Sequence, residues 1–280
     1  MDELSLLDLP SSELERDHQK MLNQADLVTV SADRLMSQLP KHILPKALLL
    51  NNAVSHEFID AVNAYDINSR DLEPLGSHPI LGYYGAIAEW VDFDLIERLA
   101  KELPDSKIVL IGPVTEGVSK RVAHILWNHS NVVVLPPCKQ FELIPFLKRF
   151  DVCMIPFIKN DVTDAVSPVK LFEYFSAGKP VVTTNLAECV KYPPVHIAND
   201  HRQFVGLVRN ILSASPMKLD MVAQQLALDN TWKQRVQQIR SKMQSKDALP
   251  EPPFLDVGQN KLAVELQSPH KKRILMDRML

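Results

Sequence analysis

Lys170 and Glu173 stand three residues apart in the stretch 167–182, SPVKLFEYFSAGKPVV, which reads as a short helix followed by a buried strand. Side chains at i and i+3 are helical neighbours, so one site can use both. Pro168 suits the first helical turn, and Gly178 suits the residue just past the last one. A helix start presents free backbone N–H groups and partial positive charge, which suits phosphate. A lysine adds a point charge for a diphosphate, and a carboxylate accepts hydrogen bonds from ribose hydroxyls. Those are the needs of a nucleotide-sugar site. The same pattern is equally that of an amphipathic helix with a solvated Lys–Glu pair, and exposed pairs of that kind are common.

The elements around this helix decide what it can reach. Strand-like segments at 80–84, 107–111, 131–135, 152–156, 180–184 and 195–198 alternate with helical patterns at 92–103, 118–128, 141–150, 169–177 and 203–212. The strands are continuous apolar runs, as expected when both faces are covered. Alternation at this spacing means βαβ units in an open parallel sheet, an α/β, Rossmann-like fold. Ligands of such sheets bind beyond the C-terminal strand ends. The candidate loops are therefore 84–86, 112–114, 136–138 and 156–170, the last leading straight into Lys170 and Glu173. Upstream, 10–24 reads as a helix, 25–31 as a strand, 32–39 as a helix stopped by Pro40, and 47–50 as a strand. Residues 53–77 are polar with no clear period and read as a linker. Residues 218–244 read as one long helix, bent near Asn230, and Pro250, Pro252 and Pro253 open a tail that reads as disordered.

Bulk properties narrow the function. The 280 residues allow one or two domains, and the net charge of −3 gives no support for a nucleic-acid partner. No apolar run approaches the roughly 18 residues of a membrane span, and the acidic start lacks the order of a signal peptide. Cys138, Cys153 and Cys189 are widely spaced and form no metal motif, and the nine histidines show no ligand spacing. They fit reduced thiols, hence a cytoplasmic setting. Trp90, Trp127 and Trp232 read as packing residues. His196 and His201 lie near a strand end, where surface placement is the simpler reading. Lys271-Lys272-Arg273 reads as a solvated charge run or as a contact with an anionic membrane surface.

In this order the segments ADLVTVSADRL, LLLNNAVSHEF, HPILGYYGAI, FDVCMIPF with SPVKLFEYFSAGKPVV, and NTWKQRVQQI resemble the C-terminal half of retaining glycosyltransferases of the GT-B fold, group 1 or family 4-like, of the bacterial surface-polysaccharide type. The resemblance covers roughly residues 20–244. It implies a remnant of an N-terminal α/β domain at 1–52, a linker at 53–77, a nucleotide-sugar-binding Rossmann-like domain at 78–213, a crossing helix at 214–245 and the tail at 246–280. The first domain is then largely missing, with 1–5 similar to an internal motif of it. The implied reaction moves a sugar from a UDP- or GDP-sugar to a glycan or lipid-linked acceptor, with no metal and no further cofactor, at the inner face of the membrane.

By the same resemblance Glu173 matches the glutamate that holds the ribose hydroxyls, and Lys170 and Ser167 lie where diphosphate and sugar would sit. Gly85 matches the glycine whose backbone approaches the phosphates. Val114 and Pro137 lie near the base, and no catalytic residue is assigned. The departures are specific. The acidic residue expected eight before Glu173 is Ala165, with Asp164 adjacent. Residues 86–91, AIAEWV, lack the usual Arg and Lys. The Asn-Gly-Val-Asp signature carries Ala53 and Ser55 in place of its Gly and Asp. A charge-assisted hydrogen bond is worth about 1.5–3 kcal/mol, so losing two cations weakens donor binding by orders of magnitude unless other groups substitute. Two alternatives follow: a non-catalytic nucleotide-sugar-binding or protein-interaction remnant, and an unrelated doubly wound module of flavodoxin-like or phosphosugar-binding type.

Overall fold

The computed structural model describes residues 11–66, 76–214, 220–244 and 274–276. In chain order the elements are α1 (Ser11–Gln24), β1 (Leu27–Val30), α2 (Asp33–Gln38), β2 (Ala47–Leu49), α3 (His56–Ala64), β3 (Ile80–Tyr84), α4 (Phe93–Glu102) and β4 (Lys107–Ile111). They continue with α5 (Ser119–Asn128), β5 (Val132–Leu135), α6 (Ile144–Arg149), β6 (Val152–Ile155), α7 (Val169–Ser176), β7 (Val181–Thr184), β8 (Val195–Ala198), α8 (His201–Ser213), α9 (Met221–Asp229), α10 (Trp232–Gln244) and β9 (Ile274–Met276).

The chain divides into two compact units, Met1–Leu50 with Val236–Leu280, and Asn51–Arg235. In the smaller unit a three-stranded sheet runs β2-β1-β9, all parallel, over a core of Leu22, Ala25, Val28 and Ile43. The larger unit is a six-stranded parallel sheet of order β5-β4-β3-β6-β7-β8, flanked by helices. The order reverses between β3 and its two neighbours, so a crevice opens at the C-terminal ends of the central strands. Both faces of the sheet are covered, and all five residues of β3 are buried. Gly82, in mid-strand, leaves room for the Phe150 ring: a Cβ there would lie 2.1 Å from it.

The helices follow their local chemistry. Asp92 caps α4, its carboxylate accepting the Leu95 N–H at 3.0 Å, and Phe93, Ile96, Leu99 and Ala100 form the buried stripe. Gly178, at φ 60°, closes α7 with its N–H donating to the Phe175 carbonyl at 2.8 Å.

Four expectations require correction. Residues 53–77 are not irregular throughout, because α3 forms there. Ser55 caps it by accepting the Phe58 N–H at 3.1 Å, and Phe58, Ile59 and Val62 are buried beneath it. The serine that departs from the expected signature thus keeps the capping capacity of the aspartate it replaces. Residues 218–244 do not form one helix; α9 ends at Asp229 and α10 begins at Trp232. Between them Val54 receives and returns backbone hydrogen bonds, Val54 N to Asn230 O and Trp232 N to Val54 O, which pull the chain out of helical register. In the tail, residues 274–276 form a strand beside β1; the basic run 271–273 and most of the remainder lie outside the described residues, as do residues 1–5. Trp127 is 90 % exposed and does not pack. The buried positions of α5 are Val122 and Ile125, and two residues past Ile125 points away from that stripe.

Candidate functional site

The loops after β3, β4 and β5 and the first turns of α7 enclose a cleft of about 280 Å³ at the C-terminal edge of the sheet. Tyr84, Gly85 and Ala86 come from the first loop, Gly112 and Pro113 from the second, and Pro137 and Cys138 from the third, with Val169, Lys170 and Glu173 from the helix. All four loops expected from strand periodicity therefore contribute here, the last through Val169 and Lys170 at its end.

Two glycines set the floor. Gly85 has φ 131°, and its N–H donates to the Ile111 carbonyl at 2.9 Å. Gly112 has φ 150°, and a Cβ on it would lie 2.1 Å from the Gly85 carbonyl oxygen. Both backbones are in a region L side chains rarely adopt, and their close approach leaves no room for one. A Cβ on Gly85 would sit 3.2 Å from Lys170 Cε, so this bare turn lies directly against the lysine stem.

Lys170 and Glu173 are not a solvated pair. Glu173 is 5 % exposed, and its Oε1 accepts from Gln140 Nε2 at 2.6 Å. The Lys170 ammonium lies 5.3 Å from the Tyr83 ring centre and 5.0 Å from that of Phe157, close enough for cation–π attraction. Burial pushes its pKa down to about 8, against the opposing pull of the Glu173 charge. A cation held in this way, with no carboxylate paired to it among the described residues, is placed to take up an anion. Tyr84 is buried against Tyr174, ring centres 5.0 Å apart, and its hydroxyl has no hydrogen-bond partner among the described residues. Burial and the Glu173 charge push its pKa well up, so the phenol stays protonated.

The remaining sequence-based candidates distribute unevenly. Gly85, Lys170, Glu173 and Pro137 line the cleft. Val114 does not; it is exposed and pairs with Ile87 in a one-residue bridge beside the cleft, where Pro113 takes the lining position. Ser167 is buried outside it. Its Oγ accepts the Asn52 N–H at 3.2 Å and its carbonyl accepts from Asn52 Nδ2 at 2.7 Å. Ala165 is buried, and the adjacent Asp164 caps the Ala187 N–H at 3.2 Å and lies 3.7 Å from Lys159. Gln140 and Tyr84 escaped the sequence reading. Gln140 is 33 positions from Glu173, and only the fold brings a neutral amide of that kind to a carboxylate. Among the described residues no group of three His, Cys, Asp or Glu side chains is placed to hold a metal ion, and no helix is long and apolar enough to cross a membrane.

A second cleft, of about 470 Å³, opens along the same sheet edge over β6, β7 and β8. It is lined by Phe157, Lys159, Thr184, Asn185 and residues 198–202, with Asp92 and Arg98 from the start of α4. His201 Nε2 bonds Asp92 Oδ2 at 2.7 Å there.

Comparison with known proteins places this architecture. Residues 78–213 match the family model described as Glycosyl transferases group 1. Over 201 residues the chain is 28% identical to the Bacillus subtilis (strain 168) protein named "Putative teichuronic acid biosynthesis glycosyltransferase TuaH", covering 69% of this chain and 50% of that one. The chain thus spans half the length of the curated relative it matches. Among solved structures, the sucrose-phosphate synthase of Thermosynechococcus elongatus superposes with a TM-score of 0.66 at 13% identity, covering 86% of this chain and 63% of the other. Anabaena Alr3699/HepE, solved with UDP and glucose, gives a TM-score of 0.64 at 14% identity, with coverages of 79% and 63%. These likenesses establish a shared fold.

Proposed function

From the premise that residues 78–213 belong to the Glycosyl transferases group 1 family, we propose that this chain binds a nucleoside diphosphate sugar in the first cleft and serves transfer of that sugar to a glycan or lipid-linked acceptor in surface-polysaccharide synthesis. The observation that carries the reading is the meeting of a buried carboxylate, a half-buried ammonium and a side-chain-free turn in one cleft. The diphosphate lies against Gly85 and the first turn of α7. Backbone N–H groups at that helix start and the Lys170 ammonium face it. As the bond to the sugar breaks, negative charge grows on the departing phosphate, and the same groups stabilise it. Glu173, oriented by Gln140, accepts the ribose hydroxyls. The base lies between Pro113 and Pro137, where apolar lining gives it a dry contact surface. No side chain is assigned as a nucleophile. Retention of configuration and a peripheral contact with the inner membrane face belong to the same proposal.

The missing cations of residues 86–91 favour a second reading, a nucleotide-sugar-binding protein without turnover. The two separate by experiment. Titration calorimetry of the chain with UDP and GDP, and with their glucose and mannose conjugates, measures binding. Glycosyl transfer or donor hydrolysis measures turnover. Binding that Glu173→Ala weakens by about ten- to a hundredfold is the expected result. Unchanged affinity in that variant overturns the site, and binding without hydrolysis or transfer selects the second reading.

A further inference from the structure

Tyr84 closes β3 immediately before the Gly85 turn, and it lines the first cleft together with Glu173. Its hydroxyl is buried and has no hydrogen-bond partner among the described residues. A hydroxyl shielded from solvent without a partner destabilises the fold that holds it, and in a native site it calls for a reason. The polar groups that act on it are Glu173, Tyr174 and Cys153. Tyr174 is occupied: its hydroxyl donates to the Met154 carbonyl and accepts the Tyr84 N–H, each at 3.4 Å. The Cys153 thiol, buried in β6, is a weak acceptor. Glu173 is the strong one, and its charge helps to keep the phenol protonated, hence a donor. A carboxylate offers about four lone-pair sites. That of Glu173 gives Oε1 to Gln140 Nε2 at 2.6 Å, and its Oε2 has no hydrogen-bond partner among the described residues. A donor without an acceptor thus stands beside an acceptor that is not saturated.

We propose that Tyr84 is a positioning residue for the nucleotide: when ribose hydroxyls donate to Glu173, the carboxylate turns to accept the Tyr84 phenol as well, so that Gln140 and Tyr84 together fix its orientation. This rests on the nucleotide-sugar reading of the first cleft. The driver is the exclusion of water. A nucleotide seated over Glu173 lowers the local dielectric, where each hydrogen bond to the carboxylate is stronger and each missing one costs more. Tyr84 then contributes to the complex and not to the chain without nucleotide. Its hydroxyl weakens the fold and strengthens binding, two effects of opposite sign that a purely structural tyrosine does not give.

Titration calorimetry with UDP, GDP and 2′,3′-dideoxyuridine 5′-diphosphate, alongside thermal unfolding without nucleotide, tests this on the full chain as the parent, Tyr84→Phe, Glu173→Ala and the double variant. Tyr84→Phe keeps the ring and removes only the hydroxyl. It is expected to hold or raise the thermal midpoint and to weaken UDP or GDP binding by about three- to tenfold. It should leave the affinity for the dideoxy nucleotide unchanged, since that ligand brings no ribose hydroxyl to Glu173. In the Glu173→Ala background it should add no further loss. A lower thermal midpoint in Tyr84→Phe means that the hydroxyl is already bonded without nucleotide and overturns the inference. An equal loss on the dideoxy nucleotide, or a full further loss in the Glu173→Ala background, also overturns it. Failure of the parent to bind UDP or GDP overturns the first-cleft reading and this inference with it, whereas binding that Glu173→Ala weakens and Tyr84→Phe leaves unchanged overturns the inference alone.

Discussion

The two clefts sit on one sheet edge, yet they are built from opposite materials. The first is made largely of backbone: two glycines in the positive-φ region, the stiff loops of Pro113 and Pro137 around them, and a carboxylate and an ammonium held by burial. The second is made of side chains, half-buried or exposed, most of them polar or charged and several hydrogen-bonded to one another. The strand ends explain it. Over β3, β4 and β5 the chain leaves each strand through Gly or Pro and stays close to the sheet, which favours a flat, phosphate-bearing ligand. Over β7 and β8 it leaves through Asn185 and Asn199, and over β6 through Pro156 followed at once by Phe157, so side chains fill the space above these three strand ends. A carboxylate buried as Glu173 is depends on its one strong hydrogen bond, whereas the charges of the second cleft are hydrated and individually weak.

The contrast makes graded predictions. The largest effect belongs to Glu173→Ala, which should weaken UDP or GDP binding by about ten- to a hundredfold in titration calorimetry. Gly112→Ala comes next. Its Cβ overlaps the Gly85 carbonyl at 2.1 Å, so the variant should lose about 1–3 kcal/mol in a denaturant titration, with nucleotide binding falling in step.

Lys170 supplies a pH signature for the first cleft. Its folded pKa of about 8 lies below the ordinary 10.5, so the ammonium is present below pH 8 and lost above it. Nucleotide affinity should be level below that pH and fall above it, with proton uptake on binding detected by calorimetry in buffers of different ionisation heat. The linkage with stability has the opposite sign. The unfolded chain holds this proton to higher pH, so the burial cost of Lys170 fades between pH 8 and 10.5 and its contribution to stability rises. Lys170→Met should remove both slopes. The smallest effect is Ser55→Ala, about 1 kcal/mol for a lost helix cap, with no change in nucleotide binding.

Apolar runs were sufficient to place all six strands of the large sheet, because strands covered on both faces are mostly apolar; only β8, VHIA, carries an exposed polar side chain, His196, inside the run. It also placed Gly85 and Pro137 at one end of the sheet, since each follows a strand within a few residues, and the loop 156–170 after β6 leads to Lys170 and Glu173 at the same end. What it missed depends on tertiary partners. The helix α3 was hidden because its apolar residues, Phe58, Ile59 and Val62, cover a single short face within a polar stretch. The break between α9 and α10 is set by Val54, far away in sequence. Ser167 carries the right residue type in the right loop, but Asn52 holds it. Gln140 and the His201–Asp92 pair, 109 residues apart, left no local trace at all.

Gly82 sits under the Phe150 ring with no space for even a methyl group. These two positions are therefore a matched set. A larger residue at 82 is admissible only when 150 shrinks, so a library that varies either one alone should return the parental pair, while joint randomisation should yield small-for-large exchanges between them.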